Sequence, residues 1–367
     1  MKLRRLTGLL LSLVLLFCTG CSQSAALRST PSPTAEEQAL SSPPEASAEA
    51  PSNQQAEETV SAEKNAPAPA QEASFTLCAY RPVSSMTQGA AAVAEEYAGS
   101  ISALDYLVLN TGAYWGENGA LSLSDELLDA IETLQGKTAL WCTVNPQGAL
   151  IREGTAGQSI DTPQERQVLA QEIAAFAEQY GLAGIDIDWE FPLDDEWEDF
   201  STFLITLKDT LSRNSKPVAL SLALYPEKIA LSEEAIAALD RIHVMAYDQF
   251  DSEGFHSTMQ TAEDAVAYFT ALGASPQQLV LGIPAYGRPL DGSAQWVFYK
   301  DIDPESISGE NPDLVGDISF NSAATAAQKT QYALEQNLGG VMVYQLLCDR
   351  NDQDALILAC ANMAENA

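Results

Sequence analysis

The chain has 367 residues and carries 51 acidic against 18 basic residues, which gives a formal net charge of −33 at neutral pH. This excess of acid excludes nucleic-acid binding for the chain as a whole, because phosphate binding requires a surplus of Lys and Arg. It also disfavours a strongly anionic substrate. Only two histidines, His243 and His256, are present, so a zinc site built from several histidines lacks ligands.

The first 20 residues have the features of an export signal. Residues 1–5 include the basic residues Lys2, Arg4 and Arg5, and residues 6–17 form a mostly apolar run that is short of the ~20 residues needed to span a bilayer. The run ends in Thr19, Gly20 and Cys21, which resembles the bacterial lipoprotein signal. We therefore expect a signal peptide over residues 1–20 and a lipid anchor at Cys21 that holds the protein outside the cytoplasm on the cell membrane. Secretion after cleavage near residues 24–26 is the alternative.

Residues 21–74 are rich in Ala, Ser, Pro, Glu and Gln and contain almost no large apolar side chains. Such a segment cannot bury enough surface to offset the loss of chain entropy on folding. We expect a disordered linker that tethers the rest of the chain to the membrane. Only eight of the 51 acidic residues precede residue 75, so the negative charge belongs to the folded region.

From residue 75 to residue 367, apolar strand-like runs alternate with amphipathic helical stretches. One helix begins at a capping box formed by Thr162 and Glu165, with Pro163 as its first residue, and ends before Gly181. The eight predicted strands are residues 75–80, 106–110, 138–144, 184–190, 218–224, 242–247, 279–283 and 340–346. Eight strand–helix units predict one α/β domain with the (β/α)8 fold of a TIM barrel. Its catalytic residues should lie at the carboxyl ends of the strands.

The fourth predicted strand carries the strongest chemical signal. Asp186, Asp188 and Glu190 alternate along it with Ile185, Ile187 and Trp189. Because successive side chains of a strand point to opposite faces, the three acids should point into the barrel. Carboxyl groups in this arrangement repel one another when ionised, so at least one pKa should be raised. An exposed charged strand and a divalent-metal site with these acids as oxygen ligands are the alternatives.

The region from residue 75 onward contains four cysteines, Cys78, Cys142, Cys348 and Cys360, which lie within or beside apolar runs. Their spacing matches no metal-binding motif. Export would permit disulfides, whereas burial in the core would favour free thiols, and the sequence leaves both alternatives open.

The acidic strand resembles the active-site strand of glycoside hydrolase family 18, the chitinase-like enzymes, whose pattern is Asp-x-x-Asp-x-Asp-x-Glu. Ala183 stands in place of the first acid. Three further segments are similar to family motifs in the correct order, namely Met245–Asp248, 282–288 and 339–344, with Tyr344 in place of a Trp. The third strand departs from the family pattern, and Thr143 there is expected to replace a serine hydroxyl beside Asp186.

The resemblance implies the catalytic roles. Glu190 would be the general acid that protonates the glycosidic oxygen and then the base that activates water. The nucleophile would be the carbonyl oxygen of the substrate's own 2-acetamido group. Asp188 would accept a hydrogen bond from the acetamido NH, Tyr247 would donate one to its oxygen, and Asp186 would share a proton with Asp188. This chemistry requires no metal and no cofactor.

The resemblance also implies a set of substrate-binding residues. Tyr344 would form the floor under the sugar ring, and Tyr80 and Met245 would close the pocket. The other expected contacts are Asp248, Tyr286 and Arg288, although Asp248 and Arg288 could instead pair with each other. Trp115, in the long loop after the second strand, is a candidate outer platform. His243 shares a strand face with Met245 and Tyr247, and is either a core residue or one that tunes the site.

Two functions remain open from the sequence. The first is an exported, monomeric hydrolase of β-1,4-linked N-acetylglucosamine glycans, such as chitin oligomers, peptidoglycan or the core of N-glycans. The second is a glycan-binding barrel without turnover. The presence of Glu190 favours the hydrolase, because non-catalytic relatives usually lose this acid. The segment 289–321 has no room for an additional α+β module, which predicts an open groove.

Overall fold

The computed structural model of the protein describes residues 75–307 and 311–367. The expected signal peptide, the lipidation site Cys21 and the expected linker lie outside the described residues. Within them, no helix combines the length and the apolar character needed to cross a membrane.

Strands and helices alternate along the described chain as the sequence predicts. In chain order the strands are β1 Thr76–Pro82, β2 Tyr106–Asn110, β3 Ala113–Trp115, β4 Leu121–Leu123, β5 Ala139–Pro146, β6 Gly184–Ile187, β7 Ala219–Leu224, β8 Arg241–Val244, β9 Leu279–Pro284, β10 Tyr286–Pro289, β11 Val297–Phe298, β12 Leu314–Val315, β13 Ile318–Ser319 and β14 Gly340–Tyr344. The helices are α1 Ala90–Glu96, α2 Ala98–Ala103, α3 Asp125–Leu134, α4 Gly148–Glu153, α5 Pro163–Tyr180, α6 Trp197–Leu211, α7 Glu233–Ala238, α8 Met259–Ala271, α9 Ala323–Glu335 and α10 Leu356–Glu365.

Eight of these strands close into a parallel barrel. The order around the barrel is β1, β2, β5, β6, β7, β8, β9 and β14, and β14 pairs again with β1. This confirms the predicted (β/α)8 TIM barrel. The register places Thr143 of β5 and Ser221 of β7 directly beside Asp186 of β6, so three strands bring polar side chains to one level of the barrel.

The helices begin and end where their capping residues predict. The side chain of Thr162 accepts a hydrogen bond from the backbone N–H of Glu165, and the Glu165 carboxylate accepts one from the backbone N–H of Thr162, which completes the capping box of α5. Gly181 ends this helix with a φ of 64°, a left-handed conformation that glycine adopts without steric cost. Buried Leu169, Ile173 and Phe176 show that α5 turns its apolar side towards the core.

Apolar side chains form two separate groups, one outside and one inside the barrel. The larger group lies between the strands and the surrounding helices and includes Ile185, Ile187 and Trp189 of the acidic segment. The smaller group fills the barrel itself, and its buried members are Cys78, Tyr80, Tyr106, Val108, Trp141, Met245, Tyr247, Val280 and Met342. All four cysteines in the described residues are free and buried, which resolves the alternatives in favour of buried thiols.

Short additional strands lie at the carboxyl end of the barrel, where the sequence predicts only loops. The segment after β2 forms the antiparallel pair β3 and β4. The segment after β9 forms a four-stranded antiparallel sheet in the order β11, β10, β13, β12. These strands of two to four residues are too short to give a periodic sequence signal, yet the sheet carries residues of the site.

Candidate active site

The acidic segment emerges from the barrel at the carboxyl end of β6. Asp186 lies within the strand and is fully buried, whereas Asp188 and Glu190 follow its last residue, Ile187. Ile185, Ile187 and Trp189 are buried outside the barrel among the helices. The alternation therefore directs the three acids inward and towards the barrel mouth, which excludes the exposed-strand alternative.

Asp186 is surrounded by hydrogen-bond donors. Its Oδ2 accepts from the Tyr80 hydroxyl at 2.8 Å and from Thr143 Oγ1 at 3.2 Å, and its Oδ1 accepts from Ser221 Oγ at 2.5 Å. The Nδ1 atom of His243 lies 3.2 Å from the same Oδ1. The expected contact of Thr143 with Asp186 is therefore confirmed. Both oxygens of Asp186 therefore accept hydrogen bonds at the base of the site.

Asp188 faces Glu190 rather than Asp186. The carboxyl groups of Asp188 and Glu190 lie within hydrogen-bonding reach of each other, and the backbone N–H of Asp188 donates to Asn145 Oδ1 at 3.0 Å. The oxygens of Asp186 accept hydrogen bonds from β1, β5 and β7, and the sharing of a proton between Asp186 and Asp188 stays a prediction.

Burial and mutual repulsion raise the proton affinity of this pair. The pKa of Asp188 is raised well above its ordinary value, first by burial and then by the charges of Glu190 and Asp186. The pKa of Glu190 is also raised, mainly because the residue is recessed in the cleft, although its side chain remains open to solvent. A proton therefore stays on the pair above the pH at which isolated carboxyl groups ionise.

One oxygen of Asp188 has no donor. Its Oδ1 atom is buried and accepts no hydrogen bond from any donor group of the described residues. A buried acceptor without a donor is costly in a folded protein. Its position beside the cleft therefore suits a donor supplied by a bound molecule. Within the described residues, no cluster of three or more His, Cys, Asp or Glu side chains is arranged to hold a metal ion.

Aromatic side chains form the walls of the pocket above these acids. The rings of Tyr247 and Tyr344 stack with centroids 5.4 Å apart, and Tyr80 lies 5.8 Å from Tyr344. Met245 packs in the same apolar group as Tyr80 and Tyr247. Burial and the neighbouring Tyr344, Asp188 and Glu190 raise the pKa of Tyr247 well above its usual value, so its hydroxyl keeps a proton that it can donate.

A charged pair closes one side of the pocket. Arg288 of β10 forms a salt bridge with Asp248, and the Tyr286 hydroxyl donates to Asp248 Oδ2 at 2.9 Å. Asp248 and Arg288 thus pair with each other, one of the alternatives that the sequence left open. The backbone N–H of Asp248 donates to His256 Nε2 at 3.0 Å. Burial, with the charges of Lys329 and Arg288, lowers the pKa of His256 to about 3, so His256 is a neutral acceptor.

Trp296 is a cleft residue that the sequence did not indicate. Its ring stacks on Tyr286 with centroids 3.8 Å apart and an interplanar angle of 5°, and it meets the edge of Tyr344 at 6.3 Å. The residue is half-buried, so part of it remains accessible. It follows a polar loop without periodicity, and only the return of β11 onto β10 brings it to the site.

Trp115 does not belong to the site, and its prediction as an outer platform is wrong. It is fully buried and packs against Trp189 and Phe203 with centroids 6.0 and 6.2 Å away. The physical reason is that the segment after β2 folds back as the β3–β4 pair, and β3 pairs with the end of β5. This pairing turns Trp115 into the core between barrel and helices.

The closed parallel barrel carries paired carboxyl groups at the carboxyl ends of its strands. The protein is therefore of the TIM-barrel class, in which the active-site cleft lies at this face. Comparison with known proteins narrows the class. The sequence model of the glycosyl hydrolases family 18 matches residues 152–349, more than half of the chain. The chain belongs to this family.

Similar proteins agree with this assignment. Chitinase 1 of Aphanocladium album is 25% identical over 246 residues, which are 52% of this chain and 58% of that protein. Probable chitinase 2 of Drosophila melanogaster is 26% identical over 161 residues, 39% of this chain and 33% of its own length. The chain thus spans one third to about three fifths of these relatives. A chitinase structure from Bacteroides thetaiotaomicron has the same fold, with a TM-score of 0.66 at 21% identity, covering 79% of this chain and 96% of that one.

Proposed function

We propose that the protein is a glycosidase that hydrolyses β-1,4 bonds in glycans containing N-acetylglucosamine. Glu190, at the barrel mouth and with a raised pKa, protonates the glycosidic oxygen and later activates water. The acetamido oxygen of the substrate attacks the anomeric carbon and forms an oxazolinium ion. Water then opens this ion with net retention of configuration. The observation that carries the proposal is the pair of carboxyl groups of Asp188 and Glu190 at the barrel mouth, whose pKa values are both raised.

Asp188 and Tyr247 hold the acetamido group in this mechanism. The buried Oδ1 of Asp188, which lacks a donor among the described residues, accepts the acetamido N–H. The charge of Asp188 then offsets the positive charge of the oxazolinium ion. For this step the proton shared with Glu190 must leave Asp188, which leaves Glu190 as the acid. The protonated Tyr247 hydroxyl donates to the acetamido oxygen and orients it for attack.

Aromatic surfaces support the sugar rings. Tyr344 forms the floor beneath the cleaved sugar, and Trp296 extends this floor along the face of Tyr286. Phe191 directly follows Glu190, and Phe250 lies two residues after Asp248. Their side chains are exposed by 44% and 36% and offer apolar contacts to neighbouring sugars. Plant class V chitinases of the same fold have been crystallised with N-acetylglucosamine oligomers, which supports a glycan as the ligand of this cleft.

The requirement for the acetamido group provides the test. A 4-methylumbelliferyl glycoside of di-N-acetylchitobiose is expected to be cleaved, whereas the same reporter with a free amine on the cleaved sugar should compete for binding and remain intact. The amine has no carbonyl oxygen and cannot attack the anomeric carbon. Comparable hydrolysis of both reporters would contradict participation of the acetamido group.

The alternative function is a glycan-binding barrel without turnover. Glu190 is the discriminating residue, because binding alone does not need an acid with a raised pKa at the mouth. A protein that binds N-acetylglucosamine oligomers but releases no product from chitin oligomers, peptidoglycan or high-mannose glycoprotein at any pH would support this alternative. The same three substrates, tested side by side, identify the preferred glycan.

We also propose that the protein acts outside the cytoplasm, attached to the membrane by a lipid at Cys21. The motif of residues 19–21 at the end of the apolar run supports this location. Cys21→Ala is expected to move the protein from the membrane fraction, because acyl chains can no longer be attached. Membrane fractionation and metabolic labelling with palmitate measure the change. Equal release of the unmodified protein and the variant into the medium would favour simple secretion.

A further inference from the structure

A buried lysine in the helical layer is not used by the proposed mechanism. Lys329 belongs to α9 and is fully shielded from solvent. Its Nζ atom donates to the backbone oxygen of Ser257 at 2.7 Å, to Ser257 Oγ at 3.0 Å and to Asn321 Oδ1 at 2.8 Å. An ammonium group has three hydrogens, so these three acceptors use all of them.

Lys329 has no acidic group in direct contact. Among the described residues it takes part in no salt bridge. Burial lowers the pKa of Lys329 to about 7, against the smaller and opposite effects of Asp313 and Cys360. A buried ammonium group without a carboxylate is costly unless hydrogen bonds compensate it, so the bonds to Ser257 and Asn321 are the interactions that retain it.

Ser257 connects Lys329 to the loop that joins β8 to α8, residues 245–258. Its Oγ atom donates to the backbone oxygen of Ala246 at 2.6 Å, and its backbone N–H donates to the backbone oxygen of Gln249 at 3.0 Å. Because the hydroxyl has a single hydrogen, which Ala246 receives, the contact between Ser257 Oγ and Lys329 depends on a hydrogen from the lysine. Lys329 therefore holds the residue that closes this loop.

Tyr247 lies between two anchored backbone positions of the same loop. The oxygen of Ala246, directly before it, accepts from Ser257 Oγ. The N–H of Asp248, directly after it, donates to His256 Nε2 at 3.0 Å. The place of the Tyr247 side chain in the cleft thus depends on the chain segment that Lys329 holds.

Two residues of the loop have a left-handed backbone. Asp248 has a φ of 59° and Ser257 has a φ of 49°. Residues other than glycine adopt this region at a cost and keep it only where surrounding contacts determine it. Lys329 and Asn321 both donate to the backbone oxygen of Ser257, at 2.7 and 3.0 Å, so they stabilise one of these two positions.

We propose that Lys329 is a positioning residue for the acetamido group of the substrate: through Ser257 it fixes the loop so that the Tyr247 hydroxyl meets the acetamido oxygen. This inference rests on the proposed function. Lys329 does not touch the substrate, and its effect reaches the reaction through Tyr247. A displacement of a catalytic group by about 1 Å can lower the rate about 10²-fold, so a loosened loop should reduce kcat.

Lys329→Met removes the ammonium group and keeps an unbranched side chain of similar length. We expect kcat on the di-N-acetylchitobiose reporter to fall about 10- to 10²-fold, with a smaller change in KM. The assay is run at about pH 6, below the pKa of Lys329, so that the wild-type protein carries the ammonium group. The matched control is Thr330→Val, the next residue of α9, which is also buried and whose hydroxyl donates within the helix to Ala326. It should lower the thermal unfolding midpoint and leave kcat unchanged.

A double-mutant cycle with Tyr247→Phe separates positioning from a general loss of stability. If Lys329 acts through the Tyr247 hydroxyl, adding Lys329→Met to Tyr247→Phe should lower kcat by less than about twofold further, because the group that it positions is already absent. Losses that multiply as for independent sites would overturn the proposal, and so would an unchanged kcat in Lys329→Met alone.

Ser257→Gly is the second variant, and it covers the case in which Lys329→Met does not fold. Glycine adopts the left-handed conformation without steric cost, and the loss of the hydroxyl breaks the link between Lys329 and Ala246. We expect the same fall in kcat and the same lack of additivity with Tyr247→Phe. Full kcat in Ser257→Gly would overturn the proposal.

An inactive wild-type protein would contradict the proposed function, and the role of Lys329 is then measured by binding. Tryptophan fluorescence gives the dissociation constants of the N-acetylglucosamine tetramer and of its de-N-acetylated counterpart. Lys329→Met should reduce the preference for the acetylated tetramer about threefold or more, whereas Thr330→Val should keep it. Equal ratios of the two constants in all three proteins, including a ratio of one, reject the proposal.

Discussion

Glu190→Gln is expected to lower kcat on the di-N-acetylchitobiose reporter by about 10²–10⁴-fold while oligosaccharide binding is retained. Gln has nearly the same shape as Glu and preserves hydrogen bonding to Asp188, but its amide cannot donate a proton to the glycosidic oxygen. The loss should therefore appear in kcat, with little change in the dissociation constant measured by isothermal titration calorimetry.

The matched control for this variant is Asp195→Asn. Asp195 lies five residues further along the same loop and is exposed to solvent, so its substitution removes one negative charge near the cleft without touching the pair. It should leave kcat within about twofold, since exposed charges contribute little to chemistry at a distance. Full activity of Glu190→Gln would refute the role of Glu190, and equal losses in both variants would point to a general effect of charge.

The barrel could be predicted from the sequence because its signals are local. Apolar runs of strand length alternate with helices that carry their own caps, such as Thr162 with Glu165 at the start of α5. The inward direction of Asp186 followed from period-two alternation with Ile185 and Ile187, and burial confirms it. Each of these features depends on neighbours within about ten residues, so a single sequence contains the information.

Other parts of the site depend on contacts between distant segments. Trp115 was expected at the cleft, and the pairing of β3 with the end of β5 buries it instead. Trp296 reaches the cleft only because β11 pairs with β10. None of these pairings leaves a periodic pattern along the chain, so the residue types alone could not indicate them.

The second prediction with a large expected effect on kcat concerns Asp188. Asp188→Asn is expected to lower kcat about 10²–10³-fold, because the neutral amide cannot offset the charge of the oxazolinium ion. A loss of less than about threefold would show that Asp188 does not stabilise a charged intermediate. The basic limb of the wild-type pH–activity profile should also lie at higher pH than for an ordinary carboxylic acid. Burial raises the pKa of Glu190, and burial and repulsion together raise that of Asp188.

The sign of this pH dependence follows from the role of the acid. Glu190 must be protonated to donate, so activity is present below the pKa of the pair and is lost as the pH rises through it. A raised pKa therefore extends activity to higher pH, where an ordinary glutamic acid would already be ionised.

The most direct test of this account is the pH profile of kcat/KM for the wild-type protein on the di-N-acetylchitobiose reporter. We predict that the midpoint of its basic limb lies clearly above 4.5, the ordinary pKa of a glutamic acid. A midpoint at or below 4.5 would show that no proton is retained beside the cleft, and it would contradict the proposed mechanism at its first step.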